Sequence, residues 1–287
     1  MNDMKRPRLL NVLLVMLTAG SVLTACSDDE ETPQQIKTYY MTVEATRQGN
    51  VDLARATRAL SLDGSTLNAS WATSEHVYVQ GTLYSAQTKF WFNGSLQPQS
   101  EGTTTRLNGT LSLPDGYAIS IDEAIGTPHE LTLQFPRPDY PDYSGQEGTL
   151  ANIAENYNYA TAEGVRYDIV GDHIEGVNTA EFVNQQAIVK FTLIDKANST
   201  ESSTATLNPT EFTVDYGSEN PISLTKIPPA TYDTNGDGVL FVAIPGFSDK
   251  KVVLTATVGS NTYTFTKNDV TFENSKYYEI NVKMNKK

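Results

Sequence analysis

The sequence predicts an all-β protein built from antiparallel β-sandwiches. Short runs of alternating apolar and polar residues recur along the chain and end at turn dipeptides of the Asp-Gly and Asn-Gly type, as at 63–64 and 93–94. The aromatic residues are mainly Tyr, 15 against 10 Phe and 2 Trp, which suits strands that are half exposed. The last predicted strand, at 276–284, alternates most regularly of all.

The chain begins with a segment that indicates export rather than folding. Lys5, Arg6 and Arg8 form a basic start, and the apolar stretch at 9–17 is shorter than the roughly 20 residues that span a membrane as a helix. Two small residues then precede Cys26, the only cysteine, as in a bacterial lipobox. We therefore expect cleavage before Cys26 and lipid on its thiol. Two or more acyl chains would anchor the protein stably. A plain secretory peptide with a chance cysteine is the alternative.

Acidic residues are concentrated directly after Cys26, and they outnumber basic residues in the chain as a whole. The four acids at 28–31 predict an extended, solvated tether. They also resemble a signal that sends lipoproteins to the outer face of the outer membrane in one group of Gram-negative bacteria. The net charge of −13 repels nucleic acid and anionic lipid, so neither is an expected partner.

The first predicted strand, at 36–45, has one apolar face. Tyr39, Met41, Val43 and Ala45 alternate with polar residues, so we expect them to point into a core. Loss of this strand would leave unpaired backbone groups and an apolar trough, which invite strand addition from another chain.

A polar stretch with Arg47, Arg55 and Arg58 follows, and we expect it to be exposed to proteases. Arg58 is the preferred cleavage residue because the next strand begins at Ala59, while Arg55 and Arg47 are fallbacks. A permanent first strand with an incidental loop is the alternative.

The remaining strands form two sets, separated by a proline- and tyrosine-rich interruption at 136–165 that contains a possible short helix capped by Thr149. The predicted strands are 59–62, 67–71, 76–80, 89–92, 105–113 and 130–135 in the first set, and 177–184, 187–195, 204–214, 239–244, 251–258, 262–266 and 276–284 in the second. The predicted domains are 59–175 and 176–287, after a signal peptide at 1–25 and a lipidated tether with a removable strand at 26–58.

No motif for catalysis, metal or cofactor binding stands out, so we expect neither an enzyme nor a bound cofactor. His76, His129 and His173 lack triad or metal-ligand spacing. The stretch at 233–238 copies the first half of a calcium loop, but Ile244 stands where a bidentate Glu is needed.

Several stretches together resemble the fimbrillin family, the lipoprotein precursors of type V pili and related surface adhesins. These are the lipobox, the arginine-rich loop before 59–64, and the stretches 71–79, 148–154, 157–162, 186–193 and 276–283. The resemblance implies two tandem transthyretin-like β-sandwich domains. It also implies cleavage by a trypsin-like, arginine-specific protease and filling of the opened groove by a strand of another pilin subunit, in a shaft, tip or anchor role.

The resemblance also implies a donor strand, for which the last strand is the candidate. Its inward face carries Tyr278, Ile280, Val282 and Met284.

A surface glycan-binding lipoprotein that does not polymerise is the alternative function. Exposed aromatic residues would suit stacking on sugar rings, and the candidates are Tyr140, Tyr143, Tyr157 and Tyr159. A host glycan or a host protein is the corresponding candidate receptor.

Overall fold

The all-β class that the sequence predicts is confirmed. The structure is a computed structural model, and the residues that it describes are 37–47, 59–63, 66–115, 120–136, 142–200, 205–225, 227 and 238–287. Within these ranges the chain forms eighteen strands and two short helices. No helix in these ranges is both long and apolar enough to cross a membrane.

The first eleven strands lie between Thr38 and Asn184. In chain order they are β1 (Thr38–Arg47), β2 (Ala59–Asp63), β3 (Thr66–Ser70), β4 (Tyr78–Leu83), β5 (Thr88–Trp91), β6 (Asn93–Pro98), β7 (Thr104–Ser112), β8 (Glu130–Phe135), β9 (Ala160–Val170), β10 (His173–Gly176) and β11 (Ala180–Asn184). Nine of them form one sheet in the order β5-β4-β8-β9-β10-β1-β7-β6, with β11 paired to both β1 and β9. β2 and β3 form a separate hairpin.

The other seven strands form a second sheet. They are β12 (Gln186–Asp195), β13 (Glu211–Asp215), β14 (Ile222–Leu224), β15 (Val239–Pro245), β16 (Phe247–Val258), β17 (Asn261–Phe272) and β18 (Tyr277–Lys286). The spatial order is β14-β13-β16-β17-β18-β12-β15. The predicted strand at 177–184 belongs to the first sheet instead, because β11 pairs there with β1 and β9. The domain boundary at residue 176 stays a prediction.

Each sheet packs its inward side chains into a core of its own. The first core includes the buried side chains of Tyr39, Trp71, Leu107 and Phe182. The second core is built mainly by β12 to β18, and Leu60 and Ala69 of the β2–β3 hairpin also pack into it. The hairpin thus precedes most of the first sheet in sequence but packs with the second.

The segment 142–149, inside the interruption at 136–165, closes the second core. Gln146 is fully buried, and its side-chain amide donates to the backbone oxygen of Ala243 at 2.8 Å while its side-chain oxygen accepts from the Ala243 N–H at 2.8 Å. Gly145 donates to Ser223 O, and Phe241 donates to Gly148 O. The segment therefore satisfies backbone groups of both β14 and β15, which are the two edges of the second sheet.

Two short helices carry recognisable caps. Helix α2 (Leu150–Asn156) begins after Thr149, whose hydroxyl accepts from the Asn152 N–H, so the predicted cap is confirmed. Helix α1 (Ile121–Ile125) was not predicted, although Ser120 and Glu123 form a capping box that the sequence contains.

Candidate functional site

The first strand lies inside the first sheet and not at its edge. On one side, Thr38 to Thr46 pair antiparallel with β7 along almost the whole of both strands. On the other side, β1 pairs in parallel first with β10 and then with β11. We call the space that β1 occupies between β7, β10 and β11 the first-strand slot. Removing β1 would expose a hydrogen-bonding edge on each side of the slot.

The inward face of β1 is buried over its whole length. Tyr39, Met41, Val43 and Ala45 are 0 to 1% exposed. Full burial of a side chain of the size of Met or Val is worth about 1.5–3 kcal/mol, so this face holds the strand firmly. The Tyr39 hydroxyl also accepts from the Ile121 N–H at 3.3 Å, which joins β1 to the start of α1.

The end of β1 carries a buried cation, Arg47. Arg47 was expected in an exposed loop and as a fallback cleavage residue, but it is the last residue of β1 and only 5% exposed. Its guanidinium lies 3.2 Å from the carboxylate of Glu75, which is 1% exposed, and donates to Ser70 O at 2.9 Å. Burial keeps a protease from this arginine.

Two aromatic rings complete the surroundings of that guanidinium. The Arg47 Cζ atom lies 4.0 Å from the ring centroid of Trp71 and 4.5 Å from that of Phe135. Such cation–π contacts are strongest where water is excluded. We call Glu75, Trp71 and Phe135 the Arg47 pocket. No sequence motif identified it. Trp71 and Glu75 lie in one segment between β3 and β4, but Phe135 ends β8 and Arg47 ends β1, and only the fold brings these three segments together.

A polar cluster covers the outer face of β1. The Thr42 hydroxyl donates to the Glu175 carboxylate, the His173 ring lies 2.9 Å from it, and Arg106 donates to it at 2.8 Å. Hydrogen bonds from Thr42 and then His173 hold the pKa of Glu175 below its usual range, with a smaller contribution from Arg106. These contacts tie β1 to β10 and β7 on the side that faces solvent.

The candidate donor strand is held differently from β1. β18 pairs in parallel with β12 from Tyr277 to Met284, but its pairing with β17 covers two residue pairs, Tyr263 with Lys286 and Thr264 with Asn285. Val282 and Met284 are buried, whereas Tyr278 and Ile280 are half-buried.

A groove of about 310 Å³ runs beside β18, lined by residues that include Phe265, Val270, Ile280 and Val282. The groove lies along the stretch over which the backbones of β17 and β18 do not pair.

The predicted processing sites fall largely outside the described residues. Cys26, Arg55 and Arg58 lie there, as does most of the calcium-like stretch at 233–238. The description resumes at Ala59, which is the first residue of β2. Lipidation at Cys26 and cleavage at Arg58 therefore stay predictions.

The histidines and tyrosines singled out in the sequence have structural partners. His76 contacts Ser95, and His129 stacks on Tyr167. Within the described ranges no three His, Cys, Asp or Glu residues come together as a metal site.

Two of the tyrosines proposed for glycan stacking are not exposed. Tyr143 and Tyr159 are 8% and 6% exposed, and their hydroxyls donate to backbone oxygens. Burial raises the pKa of both. Tyr157 is half-buried, and Tyr140 lies outside the described residues.

Comparison with known proteins gives similarity at the level of solved structures. No family model and no curated protein matches the chain. A fimbrial protein from Bacteroides ovatus aligns with 86% of this chain at 10% identity and a TM-score of 0.41, and this chain covers 49% of that protein, about half its length.

Two further structures align over most of both chains. One is a protein from Bacteroides ovatus assigned to cell adhesion, with 14% identity, a TM-score of 0.46, and 87% and 95% of the two chains covered. The other is a tip fimbrial protein from Porphyromonas gingivalis with a C-terminal truncation, with 9% identity, a TM-score of 0.36, and 86% and 95% covered.

Proposed function

We propose that this chain is a pilus subunit or a tip or accessory adhesin of the fimbrillin type. In this proposal it is exported as an outer-membrane lipoprotein through Cys26 and assembled at the cell surface after a protease removes β1. The observation that carries the proposal is the position of β1, which is an interior strand of the first sheet. The segment that joins it to the rest of the chain contains Arg55 and Arg58, at which a trypsin-like protease would cut.

Cleavage in that segment would change the first sheet more than cleavage in most loops. β1 is bonded on both sides and buries four side chains, so its departure would open two backbone edges and an apolar trough. A strand from another subunit could fill both, in the way that chains add strands to exposed sheet edges.

The last strand suits the role of donor. One side of β18 is bonded along its length to β12, but the other side is bonded to β17 at two residue pairs. Both strands lie inside their sheets, but β18 has fewer backbone bonds to break than β1. Its alternating inward face would meet the same trough that β1 leaves.

Limited proteolysis tests the proposal. Mild trypsin treatment of the folded, full-length protein should cut at Arg58 and give a species that starts at Ala59. That species should form oligomers or take up a peptide copying residues 277–287. Arg58→Ala should prevent the cut, and cells carrying it should lack surface polymers.

The glycan-binding alternative predicts a different result from the same experiment. A clipped protein that stays monomeric and ignores the peptide, together with normal surface polymers in Arg58→Ala cells, would exclude strand exchange. Because Tyr143 and Tyr159 are buried, the alternative has lost two of its candidate stacking residues.

The lipid anchor is tested separately. Cys26 is the only thiol, so Cys26→Ser should abolish labelling with fatty acid and remove the protein from the outer-membrane fraction. Continued labelling of the mutant would show that the lipobox assignment is wrong.

A further inference from the structure

The first and the last strand share one pattern on their inward faces. β1 and β18 each contain ten residues. Aligned from their first residues, the alternate positions are Tyr39 with Tyr278, Met41 with Ile280, Val43 with Val282, Ala45 with Met284, and Arg47 with Lys286. Four apolar positions are thus followed in both strands by a cation.

The two terminal cations have different surroundings, because Arg47 is buried and Lys286 is exposed. In β1, Arg47 is buried against the carboxylate of Glu75. In β18, Lys286 continues the face that buries Val282 and Met284, and it is exposed at the end of its strand. In its own sheet the charge of Lys286 is therefore solvated, as is usual for a lysine at the end of a strand.

The Arg47 pocket contains a buried carboxylate that a cation at this position of a strand would pair with. Glu75 is 1% exposed, and Trp71 and Phe135 flank the place of the guanidinium. If β1 leaves, the carboxylate loses the cation that accompanies it in the first-strand slot. Removing one member of a buried charge pair is strongly unfavourable, so a strand that restores a cation there is favoured over one that does not.

We propose that Glu75 is a specificity-determining residue of the first-strand slot. It selects a donor strand with a basic residue at the position of Arg47, and Lys286 of a second copy of this chain supplies that residue. This inference rests on the proposed function, because it assumes that β1 is replaced.

The same contact fixes the register of the incoming strand. A shift by two residues keeps apolar side chains inward, since the period of a strand is two, so apolar packing alone discriminates weakly between such registers. A shift of β18 by two residues toward its end would place the apolar Met284 instead of Lys286 at the carboxylate. A single buried polar position is a known way to specify register.

A binding experiment with peptides tests the inference. Full-length protein carrying Cys26→Ser is clipped with trypsin, and the fragment that contains β1 is separated from it. The affinity of the clipped protein is then measured for labelled peptides that copy residues 277–287. The Lys286→Gln peptide should bind roughly 10-fold or more weakly than the parent, because it leaves the buried carboxylate without a cation. The Lys286→Arg peptide should bind more tightly, because a guanidinium can also stack on Trp71 and Phe135.

Lys283→Gln is the matched control, with the same change of charge on the outer, exposed face of the strand. It should stay within roughly twofold of the parent peptide. Glu75→Gln in the clipped protein should remove the difference between the parent and Lys286→Gln peptides. If that variant does not fold, the peptide series on the unchanged protein still decides.

The outcomes separate this inference from the proposed function. Equal binding of the parent and Lys286→Gln peptides would overturn the cation requirement and leave strand exchange intact. Rebinding of a peptide that copies residues 38–47, with no binding by any peptide of the 277–287 series, would overturn both the donor assignment and the role of Lys286.

Discussion

β1 and β18 have the same length and the same alternation, yet the two sheets hold them differently. β1 lies between β7 on one side and β10 and β11 on the other, and its terminal cation is buried. β18 is fully paired with β12 but barely with β17, and its terminal cation is exposed. An alternating pattern therefore predicts which face of a strand is buried. How firmly the strand is held depends on the length over which it pairs with each neighbouring strand, and on whether its terminal cation is buried.

The comparison of the two terminal cations predicts the largest difference in stability. Arg47→Ala should lower the free energy of unfolding by about 3–5 kcal/mol, because it leaves the buried Glu75 carboxylate without the guanidinium. Lys286→Ala should change it by less than about 0.5 kcal/mol, because that side chain is exposed. Urea unfolding of both variants measures the difference, and equal losses would contradict the account.

The apolar positions give a smaller contrast between the strands. Met41→Ala should cost about 2–5 kcal/mol, as for other fully buried side chains cut back to Ala. The corresponding change in β18, Ile280→Ala, should cost clearly less because Ile280 is half-buried beside the groove. The same urea unfolding experiment compares them. A larger loss for Ile280→Ala than for Met41→Ala would show that β18 is the more firmly packed strand.

The outer face of β1 should contribute a weak dependence of stability on pH. Hydrogen bonds from Thr42 and His173 lower the folded-state pKa of Glu175. The ionised carboxylate therefore contributes to the free energy of unfolding above the unfolded-state pKa, and this contribution is lost as the pH falls through the folded-state pKa. The side chain is 46% exposed, so we expect less than about 1 kcal/mol.

Glu175→Gln tests that contribution against the parent protein. Unfolding midpoints recorded from about pH 6 down to about pH 3 should fall less steeply for the variant, since the range spans the ordinary pKa of a Glu. Parallel curves for the two proteins would show that the cluster adds no pH-dependent stability.

Local patterns made most of the strands predictable. Strands such as β7 and β8 alternate regularly and are followed by Pro114 and Pro136, so period and turn chemistry agree. β9 is absent from the prediction because its alternation breaks at Glu163 and Gly164, where its register against β8 shifts. The predicted strand at 204–214 was too long, as β13 covers only Glu211–Asp215.

The pairing of strands and the Arg47 pocket could not be predicted in the same way. Which strands neighbour β1 depends on contacts between residues far apart in sequence, such as Thr42 with Glu175. A charged residue at the end of an amphipathic strand normally indicates that this end is exposed to solvent. Arg47 is buried only because the fold brings Trp71, Glu75 and Phe135 around it.

The central claim is that the mature surface protein has lost β1, and its first residue tests this most directly. Protein recovered from the surface of cells, or from its polymers, should be sequenced from the amino terminus. The account predicts a chain that begins at Ala59. A surface form that begins at the lipidated Cys26 and still contains residues 38–47 would contradict it, because the first-strand slot would then never open.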